Sequence, residues 1–136
     1  MKESLDEQSR KSLVDYRLER AFETLKEADV LRREGYFNTA ITRLYYACYY
    51  ACSALLVHNG ISASTHEGVK RMLGIHFVLP GILSREHNKT FCRLFEMRHS
   101  NDYDDFVFSD GPLVDEYRPK AEAFVLAIKE IVSETT

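Results

Sequence analysis

The string Arg98-His99-Ser100-Asn101-Asp102-Tyr103 brings a guanidinium, an imidazole, a carboxylate and a phenol together where an apolar helix face ends. The arginine is a planar, permanently charged donor fork, suited to a phosphate oxygen. The plainer alternative is a helix-end arginine paired with Asp102 or Asp104, four or six residues on. The same ion pair could also orient the guanidinium for binding. A second group lies in the segment AITRLYYACYYACSALLVHN, residues 40 to 59, where Arg43, Tyr46 and Tyr50 share one face of a helix. Arg43 beside those rings can stack on them and still reach a phosphate, and such rings can also stack single-stranded bases. Packing against a partly wet cleft, or pairing of Arg43 with a carboxylate, would use the same residues without a ligand.

Other reactive side chains carry weaker signals. Histidines 58, 66, 76, 87 and 99 contain no pair four apart and no neighbouring cysteine pattern, so no zinc site is expected. Cys48 and Cys52 share a helix face and read as buried thiols. His66 follows a good cap residue and reads as a first-turn histidine bonding locally. Arg85, Lys89 and Arg93 recur every four residues as a basic ridge, either a solvated face or a phosphate-contacting edge. Asp102, Asp104 and Asp105 cluster but fall short of a calcium loop, and read as a polar loop near Arg98. No glycine-rich phosphate loop or dinucleotide fingerprint is present, and no cofactor is expected.

The elements that must position these groups are helices. Leu18, Ala21, Phe22, Leu25 and Ala28 follow three-four spacing and predict a helix over about 9–34, with Gly35 as its C-terminal cap. A second helix is expected from an Asn38 cap to the Asn59-Gly60 stop. Its alanines at 40, 47, 51 and 54 form a narrow stripe that another helix can approach closely. Ser64-Thr65-His66-Glu67 offers a capping box for a short third helix fading before Pro80-Gly81. Ser84 can cap a fourth, with Phe91, Leu94, Phe95 and Arg98 on one face, and 101–111 favours a loop or frayed end. Ser109 or Asp110 can cap the last, whose buried face is Val114, Tyr117, Ala121, Phe124, Val125, Ile128 and Val132, with Pro119 kinking or restarting it. The expectation is one all-α domain over 1–136, core about 9–133: an up-and-down bundle of four main helices and one short one.

Composition narrows the functional classes. Forty-five per cent hydrophobic residues in a chain of 136 suffice for a core without disulfides or metal. Eighteen basic against 21 acidic residues give a net charge of −3, which argues against coating nucleic acid by bulk charge and leaves room for a local basic patch. Apolar runs fall far short of the roughly 18 residues a membrane span needs, and MKESLDEQSRK has no apolar signal core. A cytoplasmic protein without membrane contact is expected, and three unpaired cysteines fit a reducing compartment.

An amphipathic first helix, then Ala40-x-x-Arg43-x-Tyr45-Tyr46-Ala47-x-Tyr49-x-Ala51-x-x-Ala54, then Thr65-His66-x-Gly68, and finally Arg98 with Asp102-Tyr103, resembles the single-domain prokaryotic HEPN proteins over roughly residues 15 to 132. The resemblance implies a helical bundle that dimerises with its functional cleft at the interface. It also implies an RNA-cleaving toxin or an RNA- or nucleotide-binding module, paired with a small nucleotidyltransferase acting as antitoxin. The catalytic signature of RNA-cleaving members is an arginine, often a polar residue directly after it, and a histidine four to six positions beyond the arginine. Arg98 and His99 match the first two positions, and Tyr103 with Asp102 beside it stands where the histidine would be. A tyrosine with an ordinary pKa of about 10 is ill suited to the proton transfers of metal-independent RNA cleavage. The motif is therefore read as degenerate, with Arg98, His99, Asp102 and Tyr103 as catalytic candidates and Arg43, Tyr46, Tyr50 and Arg98 as binding candidates. The alternatives are an active ribonuclease, in which His99 of one protomer meets Arg98 of the other, and a non-catalytic scaffold for a protein partner.

Overall fold

Helix α1 spans Glu7–Arg33, α2 Phe37–His58, α3 His66–Leu73, α4 Arg85–Tyr103 and α5 Gly111–Glu134, in a computed structural model that describes residues 5–104 and 108–136. They form the up-and-down bundle, four long helices and one short, with no strand among the described residues. Helix α2 is the hub, packing against α1, α3, α4 and α5, with α1 its most extensive neighbour. The reason is compositional: Ala40, Ala47, Ala51 and Ala54 are all fully buried, and side chains this small let neighbouring backbones approach closely. The stripe thus serves contacts within the chain.

Side-chain caps fix where α1, α3, α4 and α5 start. Asp6 accepts a hydrogen bond from the Ser9 N–H at 2.7 Å, so α1 begins two residues earlier than its apolar spacing predicts. Thr65, Ser84 and Asp110 cap α3, α4 and α5 through the N–H groups of Gly68, His87 and Leu113. Asn38 does not cap α2. The cap position is Tyr36, and Asn38 lies in the first turn, where its Oδ1 accepts the Ser109 N–H at 2.8 Å. Asn101 donates to the Asn38 carbonyl at 3.0 Å from the other side. This clasp joins the ends of α2 and α4 to the entry of α5, which explains why α4 continues through Asn101 to Tyr103. Gly60, at φ +69°, takes the left-handed conformation that ends α2, as its sequence position predicts.

Beyond Leu73 one turn of π-helix, Gly74–Val78, carries the chain into the Pro80-Gly81 turn. Pro119 lies inside a continuous α5. The buried face of α5 comprises all seven residues expected from the spacing, together with Gly111. At the centre Tyr45, Phe91 and Phe124 form a stack across α2, α4 and α5, with ring centroids 5.7 and 5.6 Å apart. Each such aromatic contact adds about 0.5–1.5 kcal/mol beyond the area it buries. Arg32–Asp115 at 2.9 Å and Arg118–Asp29 at 2.7 Å tie α1 to α5 at the surface. No described helix is long and apolar enough to cross a membrane.

Candidate functional site

Arg98 is positioned by the α4 stripe that precedes it. Phe91 and Leu94 are buried in the core, and one turn further the same face delivers Arg98 against the tyrosine-rich side of α2. Its Cζ lies 5.8 Å from the centre of the Tyr45 ring and 5.7 Å from that of Tyr46. Nη2 donates to the Tyr46 hydroxyl at 3.3 Å. Asp102, one turn on, places Oδ2 2.9 Å from Nε, yet that contact fails as a hydrogen bond, so the oxygen lies off the N–H axis. The buried Nε–H therefore has no acceptor among the described residues. The arginine side chain keeps 16% of its surface exposed and the aspartate 39%, so the carboxylate has more freedom to move than the guanidinium.

Tyr46 links this arginine to a second one. Arg43 Cζ sits 4.9 Å from the centre of the same ring, while its Nη1 is 3.6 Å from Glu27 of α1. Tyr50 follows one turn along α2, 6.1 Å from Tyr46 between ring centroids, with Arg20 of α1 over it at 5.3 Å. All four binding candidates, Arg43, Tyr46, Tyr50 and Arg98, thus fall in one connected patch. The catalytic candidates divide. Arg98 and Asp102 share a face, whereas His99 and Tyr103 meet at a tilt, ring centroids 4.7 Å apart, and stand exposed on the neighbouring face. Successive helical side chains diverge by about 100°, which accounts for the separation.

One imidazole does reach the tyrosine platform, from α3. His66 Nδ1 lies 2.7 Å from the Tyr45 hydroxyl, and its ring is 4.4 Å from Tyr49 and 5.7 Å from Tyr46. Its partner is therefore 21 residues away rather than in its own first turn. Partial burial, and after it the Arg98 charge, lowers its pKa below 6.5, against a smaller opposing effect of Asp102. Burial pushes the Tyr45 phenol well above its ordinary range, so this hydroxyl stays protonated. The signal in the sequence was the Thr65-His66 pair: the Thr65 cap fixes the start of α3 and with it the direction of His66.

The remaining candidates lie elsewhere. Cys48 and Cys52 are fully buried thiols whose pKa burial raises. Lys89 and Arg93 line an open cavity of about 230 Å³ between α4 and α5, with Arg93 held to Glu96 at 3.1 Å. Among the described residues no three acidic, histidine or cysteine side chains are grouped to hold a metal ion; Asp105 lies outside them.

An all-helical bundle with an arginine at the end of α4, set against a tyrosine-rich α2, is the architecture expected of HEPN proteins. The HEPN domain family matches residues 14–134, and the chain belongs to that family. It is similar to a UPF0332 protein of Thermotoga maritima, 34% identical over 125 residues, covering 92% of this chain and 95% of the relative. It is also similar to "Putative toxin MJ0605" of Methanocaldococcus jannaschii, 29% identical over 120 residues, covering 86% and 87% of the two chains. Among solved structures, TT1696 from Thermus thermophilus superposes with a TM-score of 0.74 over 87% of this chain and 97% of that one. At 16% identity that likeness is one of fold.

Proposed function

We propose that this chain is the toxin-like member of a HEPN and nucleotidyltransferase pair, active as a homodimer in the cytoplasm, whose Arg98 cleft binds a phosphate of RNA or of a nucleotide. The observation that carries the reading is the Arg98 fork itself, wedged on Tyr45 and Tyr46 with a buried Nε–H that Asp102 does not satisfy. Asp102 pairs with the guanidinium only through an off-axis contact, and a phosphate displacing this half-exposed carboxylate would offer aligned, bidentate acceptors. The toxin-like part is supported by relatives named as toxin candidates, and the nucleotidyltransferase partner by family resemblance. At a net charge of −3, a local contact of this kind suits the chain better than a broad basic surface.

A second reading, metal-independent cleavage of RNA, has His66 in its favour. In the tautomer whose Nδ1–H donates to Tyr45, Nε2 is left free to accept the 2′-hydroxyl proton, and a lowered pKa keeps it unprotonated at neutral pH. His66 would then perform what the terminal histidine of the signature performs, from a different helix. The Arg98–Asp102 ion pair favours the opposite extreme, a protein-binding scaffold in which the arginine is structural.

The deciding experiment mixes purified protein with labelled transfer and messenger RNAs in chelator, beside Arg98→Ala, His99→Ala and His66→Gln variants. Binding lost only in Arg98→Ala supports the phosphate reading. Cleavage lost in both Arg98→Ala and His66→Gln supports the nuclease reading, and loss in His99→Ala instead points to the cross-protomer arrangement. RNA neither bound nor cut at high protein concentration sinks both and leaves the scaffold.

A further inference from the structure

The tyrosine patch does not stop at Tyr50. Between α1 and α2 a surface groove of about 240 Å³ is lined by Tyr16, Arg17, Arg20, Tyr49, Tyr50 and Ser53. No carboxylate lies among those lining residues. Tyr16 lines it with a ring that is 61% exposed and so open to a ligand. The two guanidiniums differ. Arg20 is engaged, over the Tyr50 ring and at 3.2 and 3.4 Å from Glu23 and Glu27. Arg17 is half-buried and has no ion pair among the described residues. The groove's inner rings adjoin the Arg98 site: Tyr50 neighbours Tyr46 at 6.1 Å, and Tyr49 neighbours His66 at 4.4 Å.

We propose that this groove is a second nucleotide subsite, in which Tyr16 and Tyr50 stack an unpaired base and Arg17 holds its phosphate, while the same single-stranded RNA engages Arg98. The assignment rests on the RNA-binding reading above and adds to it a substrate class and an extended path. Single-strand binders combine rings that accept any base face with cations that follow the backbone, and both occur here on one continuous surface. A groove this small admits a splayed base and not the girth of a duplex. Ser53, at 6% exposure on the groove floor, leaves room for the base edge where a larger side chain would fill the space.

The test compares fluorescein-labelled oligouridylates of two and ten nucleotides, titrated by anisotropy over a range of NaCl concentrations. Wild type is compared with Arg17→Ala, Tyr16→Ala and Arg98→Ala. The decamer is expected to bind more tightly than the dinucleotide, and Arg17→Ala to weaken the decamer about fivefold or more with a much smaller effect on the dinucleotide. Its plot of log affinity against log salt should also flatten by about 0.7, the release from one single-strand phosphate, which a merely structural defect would not produce. Tyr16→Ala should weaken the decamer with the salt slope unchanged. Arg98-dependent binding that is indifferent to length, or unchanged in both groove variants as when a protein partner occupies the groove, overturns the subsite and spares the Arg98 reading. Wild type that binds neither oligonucleotide overturns both.

Discussion

The Tyr45 hydroxyl lies 2.7 Å from His66 Nδ1, joining the most deeply buried tyrosine of α2 to the first residue of α3 beside Arg98. The imidazole is thereby fixed against a partner that does not ionise at physiological pH. NMR titration of His66 should give a pKa below 6.5, since partial burial and then the Arg98 charge both disfavour the imidazolium. In Arg98→Ala that pKa should rise, and in Asp102→Asn it should fall, because Asp102 acts in the opposite direction. The stability consequence has a definite sign. The folded state holds this proton less tightly than the unfolded chain, so the contribution is present above about pH 6.5 and is lost as pH falls through the lowered pKa. His66→Gln should flatten that part of the curve.

Ala51 is fully buried in the alanine stripe of α2. Ala51→Leu should destabilise the protein by about 1–3 kcal/mol through overpacking, read as a lower urea midpoint with an unchanged slope. Leu126, on α5 and 47% exposed, provides the surface control: Leu126→Ala should change the midpoint little.

Thr65 caps a helix of only eight residues. Thr65→Ala should cost about 0.5–2 kcal/mol and also shift the His66 resonances, because α3 carries that ring onto Tyr45. Asp110→Ala removes a comparable cap from α5 and should cost about as much without moving His66.

The helices were legible because their apolar spacing and cap residues agree, most clearly in α5, where the seven residues expected to be buried are buried. Asn38 misled because an asparagine before an apolar run looks like a cap. Its side chain answers instead to Ser109, 71 residues away, a relation that no local rule contains. The shared face of Arg43, Tyr46 and Tyr50 was legible for the same reason as the helices, by periodicity alone. His66 was not, since its partner lies on another helix and sequence gives no distance between helices. Arg17 and Tyr16 escaped likewise, as a groove needs two elements to exist.

Competition between Asp102 and a phosphate for Arg98 is read directly from the affinity of a labelled oligouridylate for wild type, Arg98→Ala and Asp102→Asn at one fixed salt concentration. If Arg98 is a phosphate site for which Asp102 competes, binding is lost in Arg98→Ala and tightens severalfold in Asp102→Asn, which frees the guanidinium and removes a negative charge. Affinity that is the same in all three proteins, with Asp102→Asn only lowering stability, would contradict it and make the pair a structural helix-end contact.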